Sequence, residues 1–111
     1  MGMEPSMHIR IYWGRVAPAS WDALARKYEE LMDMPVDGLV SRYVTRDAND
    51  PESMFTITVW RDLDAVRTWE ASQAYRDLYL AAVSPHILGS RSVSLCEVLL
   101  ARHYDGSGAP A

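Results

Sequence analysis

The segment WEASQAYRDLY, residues 69–79, holds side chains whose types and spacing suit a binding or reaction site. Trp69 offers a broad apolar face, while Tyr75 and Tyr79 stand one helical turn apart, so both hydroxyls can enter the same cavity. Such a wall with phenolic tips would hold a flat molecule and donate hydrogen bonds to an oxygen on it. The plainer alternative is that the rings pack and their tips reach solvent. His86 follows Pro85 in the loop SPHILGS. An imidazole titrating near neutrality there can serve as a general base or bind an anion, or simply lie on the surface.

Several other chemistries lack their residues. His8, His86 and His103 are scattered without a His-x-x-x-His pair, and Cys96 is the single cysteine, so neither a metal site nor a disulfide is expected. DANDPE starts like a calcium loop at Asp47, but Glu52 and Thr58 occupy the places of the required glycine and glutamate, leaving a solvated turn. Cys96 lies in a strand pattern and reads as a small buried or interface residue rather than a nucleophile. No glycine-rich phosphate loop, nucleotide fingerprint or serine-hydrolase elbow occurs. The expectation is no cofactor and no metal.

The chain's 111 residues, 49% hydrophobic, suit one domain. Eleven basic against 15 acidic residues give a net charge of −4. With no basic track, nucleic acid is excluded as the expected partner. No apolar run approaches the roughly 20 residues that span a bilayer, and MGMEPSMHIR lacks the apolar core of a signal peptide. No membrane partner is expected, and the lone cysteine fits a cytoplasmic setting.

The elements that must position these residues follow from periodicity. Residues 1–6 read as a flexible leader, residues 7–103 as the folded domain and residues 104–111 as a disordered tail. MHIRIYWGRV alternates as a first strand, with Met7, Ile9, Ile11 and Trp13 on one side. Ser20 is the expected cap of a helix carrying Trp21, Leu24, Ala25, Tyr28, Leu31 and Met32 along one stripe. Pro35 and Gly38 end that helix. GLVSRYVTR and SMFTITVWR form a hairpin around the acidic turn. Asp62 caps a short helix bearing Leu63, Ala65, Val66 and Trp69, and Ser72 restarts it. RSVSLCEVLLARH reads as the last strand.

The resulting order, β-α-β-β-α-β, predicts an α+β ferredoxin-like fold with an antiparallel four-stranded sheet and helices on one face. His8, Arg10, Tyr12, Thr56, Thr58 and Trp60 form a sheet face too aromatic for solvent and too polar for a dry core. A second copy of the sheet would cover it, so a symmetric homodimer is expected, with Trp60 at the sheet's edge or the dimer contact.

TVWRDLDAVRTWEASQAY, with a strand-end tryptophan, a second tryptophan on the following helix and a serine that restarts it, resembles the antibiotic biosynthesis monooxygenase domain. The resemblance in element order covers residues 7–103. It implies a dimeric α+β barrel in which two ferredoxin-like subunits pair their sheets, leaving a pocket in each subunit between sheet and helices. Members include cofactor-independent oxygenases that turn aromatic polyketide anthrones into quinones, haem-degrading enzymes, relatives acting on small quinones or aldehydes, and proteins without a known reaction. Polyketide cyclases share related barrels.

The haem-degrading branch needs an Asn on the first strand, a Trp on the second helix and a His ten residues later. Trp69 matches, but Tyr79 stands where the His belongs and MHIRIYWGRV has no Asn, so haem degradation fits less well, although tyrosinate can hold haem iron. The anthrone-oxidising branch needs no metal or flavin. Its substrate loses a proton and passes an electron to oxygen, within aromatic walls and hydrogen bonds to the developing enolate.

For that chemistry Trp69, Tyr75 and His86 are the candidate catalytic residues, and Arg10, Arg42 and Tyr79 the candidate substrate-binding residues. The expected function is a cofactor-independent monooxygenase acting on a small aromatic or polyketide-derived molecule. The alternatives are a non-catalytic ligand-binding or structural barrel and a polyketide cyclase.

Overall fold

Three alternating stretches and a fourth after the helices pair into one antiparallel sheet. A computed structural model describes residues 7–111, so the expected leader lies outside the described residues. The strands are β1, His8–Val16; β2, Leu39–Arg46; β3, Ser53–Trp60; and β4, Ile87–Glu97, in the order β2-β3-β1-β4. Helix α1, Trp21–Met32, follows β1, and α2, Leu63–Glu70, follows β3. A π-helical stretch, Tyr75–Leu80, then leads through one α-helical turn and a 3₁₀ turn, Ser84–His86, into β4. This is the predicted α+β ferredoxin-like fold. Among the described residues no helix is long and apolar enough to cross a membrane.

Local chemistry accounts for most boundaries. The Asp62 carboxylate accepts from the Ala65 N–H at 2.8 Å and starts α2. Ser72 marks the break after it, accepting from the Tyr75 N–H at 3.1 Å and donating to the Trp69 carbonyl at 2.6 Å. Ser20, by contrast, makes no cap bond. Ala19 takes the left-handed conformation (φ 74°) and Ser20 is already helical (φ −93°, ψ −7°), whereas a capping side chain usually works from extended backbone.

Strand β4 begins and ends earlier than its sequence suggests. Ile87 pairs with Val16, so the loop after the helices is already strand. At the other end Glu97 pairs with His8 and Val98 donates to the Met7 carbonyl; beyond it VLLARH is not strand. Residues 104–111 are exposed and form a local turn, with a bridge between Tyr104 and Pro110.

The two faces of the sheet are exchanged relative to the expectation. His8, Arg10, Tyr12, Thr56, Thr58 and Trp60, assigned above to a dimer contact, are buried under the helices. Ile9, Ile11, Trp13, Phe55, Ile57 and Val59 occupy the opposite, half-buried face. Alternation fixes which residues share a face but not which face the helices cover. Side chains from the helical layer satisfy part of the polar set: Glu70 and Tyr75 bond Arg10, and Tyr28 bonds Thr56. Trp60 is accordingly in the core rather than at an edge: it is fully buried beside Trp69 and donates its indole N–H to Thr58 Oγ1 at 2.8 Å. Leu24, Val16, Met54 and Val66 complete the fully buried set.

Gly38 shows how tightly α2 is seated. Its φ is +82°, and a Cβ there would meet Ala65 Cβ at 2.4 Å. Replacement by alanine combines backbone strain with a clash against the first turn of α2. Gly38→Ala is expected to lower folding stability by about 2 kcal/mol, measured by urea denaturation.

Candidate functional site

Strand alternation delivers Arg10 and Tyr12 from β1, Arg42 from β2, and Thr56 and Thr58 from β3 to one place beneath the helices. Tyr28 of α1 reaches the same place. Trp69, Tyr75, Tyr79, Leu80 and Val83 close it from above. Together they enclose a chamber of about 40 Å³. By its size it holds a few water-sized groups, well below the ~150 Å³ that accommodates benzene.

The break at Ser72 and the π-helical stretch bring the aromatic wall together. The Trp69 ring meets Tyr79 edge-on, with centroids 4.8 Å apart, and Tyr75 at 5.4 Å. Wide π-helical turns of this kind recur at functional sites. Tyr75 and Tyr79 differ in their bonds. Tyr79 donates to the Leu31 carbonyl at 2.7 Å and accepts from Arg42 Nη1, which anchors it to α1. Tyr75 accepts from Arg10 Nη2 at 2.8 Å.

The two arginines have unequal surroundings. Arg10 is 7% exposed, and its Nε donates to Glu70 Oε2 at 2.9 Å. A guanidinium so covered needs a carboxylate, and the last residue of α2 supplies it. Arg42 has no carboxylate within ion-pair distance among the described residues. It lies 4.6 Å from the centroid of Tyr79 and 5.8 Å from that of Trp69, where aromatic faces attract a cation.

Two further phenols complete the lining. Burial pushes the Tyr28 pKa up, partly offset by its 3.0 Å hydrogen bond to Thr56 Oγ1. Burial likewise pushes Tyr12 up, against the lowering influence of the Arg91 guanidinium. Among the described residues the buried Tyr12 hydroxyl makes no hydrogen bond of normal geometry, although the Arg91 guanidinium lies near enough to act on it.

Of the residues singled out from sequence, Trp69, Tyr75, Tyr79, Arg10 and Arg42 come together here. His86 does not line the chamber; it sits in the 3₁₀ turn, where its carbonyl accepts from the Ala17 N–H at 3.0 Å. Glu70, Tyr12 and Tyr28 were not recognised as site residues. Arg10 signals an acid partner only once its strand face is known to be covered, which alternation alone does not fix. Among the described residues, no cluster of three His, Cys, Asp or Glu side chains can hold a metal ion.

The fold and chamber define a small α+β protein with a basic, aromatic site between sheet and helices. The chain belongs to the antibiotic biosynthesis monooxygenase family, whose pattern matches residues 7–79 and so spans the aromatic wall and both arginines. No curated protein matches the chain. Solved structures agree on the fold. A protein of Caulobacter crescentus described as a candidate antibiotic biosynthesis monooxygenase aligns with TM-score 0.75 and 14% identity, over 87% of this chain and 93% of its own. A similarly described protein of Chloroflexus aurantiacus gives 0.66 and 24%, over 89% and 98%. A Nitrosomonas europaea protein of unknown function gives 0.72 and 13%, over 94% and 100%.

Burial of the Tyr28 hydroxyl gives a pH-dependent test. Because the folded Tyr28 pKa lies above the ordinary value of 10.0, the folded chain holds that proton more tightly than the unfolded one. The associated stability is intact below pH 10 and is lost as pH rises through the folded pKa. Tyr28→Phe is expected to cost about 1 kcal/mol at neutral pH by leaving Thr56 Oγ1 unpaired. The gap from wild type should narrow above pH 10, as read by urea denaturation across that range.

Proposed function

We propose that the chain is a cofactor-independent monooxygenase that oxidises an electron-rich aromatic, polyketide-like substrate at this chamber. The observation that carries the reading is the convergence of Trp69 and Tyr75 with Arg10 and Arg42. In such a reaction a substrate methylene and one O₂ become a carbonyl and one water. The substrate first loses a proton to solvent base, the resulting carbanion passes an electron to oxygen, and the proton is recovered in the water that forms. Cations and hydroxyl donors beside the substrate oxygen stabilise the enolate and make that proton easier to lose.

In these roles Trp69 supports the substrate ring, Tyr75 donates to its oxygen, and Arg42 offsets the developing charge. The chamber's size sets a condition: an aromatic substrate enters only if the π-helical stretch Tyr75–Leu80 moves outward. The same small volume favours a second reading, a non-catalytic barrel protein. Oxygen uptake with an anthrone and no added cofactor separates the two. Uptake is expected, with Trp69→Phe and Tyr75→Phe each slowing it at least about tenfold, in the range of a lost hydrogen-bonding or positioning group. Lack of uptake by wild type sinks the oxygenase reading, and unchanged variants remove those side chains from the mechanism.

The protein is further proposed to act as a homodimer in the cytoplasm, the latter consistent with its lone, exposed Cys96. Dimerisation is supported by the sheet face opposite the helices, where Ile9, Ile11, Phe55, Ile57 and Val59 form an apolar surface that no helix among the described residues covers. Leu99 and Leu100, 80% and 94% exposed just beyond β4, add apolar surface for a partner chain. Light scattering should give twice the chain mass, and Ile57→Asp should shift the particle to monomer. A wild-type monomer at micromolar concentration contradicts the proposal.

A further inference from the structure

The polar groups around the chamber present more donors than the protein satisfies. Arg10 is neutralised by Glu70, whereas Arg42 spends one nitrogen on Tyr79 and has no carboxylate among the described residues. Tyr75 uses its oxygen to accept from Arg10, and no acceptor for its own proton is present among the described residues. Among the described residues the Tyr12 hydroxyl, on a side chain 5% exposed, makes no hydrogen bond of normal geometry, and the Arg91 guanidinium near it offers only donors, so its own proton has no acceptor. Leaving a buried hydroxyl unpaired is costly, so such a group marks a place for a missing partner.

The charge count points the same way. Two guanidiniums and one carboxylate stand at this site, and Arg91 adds positive potential near Tyr12. What is lacking is a small group rich in acceptor oxygens and carrying one negative charge. The roughly 40 Å³ available fits such a head group, but not an aromatic ring.

We propose that the chamber binds the carboxylate end of a monocarboxylate ligand, with Arg42 as counter-ion and the Tyr12 and Tyr75 hydroxyls donating to its oxygens. The inference rests on reading the chamber as a ligand site and names the group that enters it. It differs from enolate stabilisation because the ligand's charge is present before any reaction. Arg42 and Tyr12 thereby select acids over neutral molecules of the same shape, since a neutral amide would leave Arg42 without its counter-charge.

Isothermal titration of the full chain with acetate and benzoate, each against its amide, tests this without turnover. The acids should bind at least about tenfold more tightly than the amides, as a charge-assisted pair in a partly desolvated site requires. In Arg42→Gln that ratio should collapse to near one, while in Tyr12→Phe acid affinity should fall several-fold with amide affinity unchanged. If Arg42→Gln does not fold, Arg42→Lys serves in its place and should retain the acid preference with weaker binding. Equal affinities for acid and amide, no acid binding to wild type, an unchanged ratio in Arg42→Gln, loss of preference in Arg42→Lys, or unaltered acid binding in Tyr12→Phe each overturns the proposal. Failed oxygen uptake leaves the acid preference standing, and a missing acid preference leaves oxygen uptake intact.

Discussion

Arg10 sits on the covered face of β1, and the helical layer above it must satisfy a charge that has left water. Glu70 at the end of α2 supplies the carboxylate and Tyr75, just beyond the helix break, supplies a hydroxyl oxygen. These bonds tie the central strand to both sides of the break at Ser72. An uncompensated guanidinium in this position would cost several kcal/mol. The placement of α2, the turn after it and the aromatic stretch that follows all work against that cost.

Around this pairing the chamber is rigid on its sheet side and less regular on its helix side. The floor consists of strand residues held in register by neighbouring strands, with Thr58 receiving the Trp60 indole N–H and Tyr28 bonding Thr56. The roof is a π-helical stretch, a rare form that interrupts regular α-helix. Tyr79 fastens that roof to the Leu31 carbonyl.

Trp60 and Trp69 differ in how far local sequence places them. Trp69 and the two tyrosines could be read from helical spacing and the serine that interrupts it, because both are local properties. Trp60 shared the alternation of β3 with Thr56 and Thr58, yet its side of the sheet could not be read, and the outward assignment was reversed. Glu70 escaped notice because its partner stands sixty residues earlier, and nothing local distinguishes it from a solvated helix-end acid. His86 had the right chemistry for a base, but the 3₁₀ turn leaves it away from the chamber.

The sequence by itself determined the order of the elements, the residues sharing each strand face, the caps at Asp62 and Ser72, and through them the ferredoxin-like fold. These depend on periods of two and on helical repeats, which are written along the chain. Only the tertiary structure decided which sheet face the helices cover, that Arg10 has an acid and Arg42 has none among the described residues, and that the Tyr12 hydroxyl is left over. Those outcomes depend on which distant side chains can satisfy one another once water is excluded, and pairing across the fold has no local period.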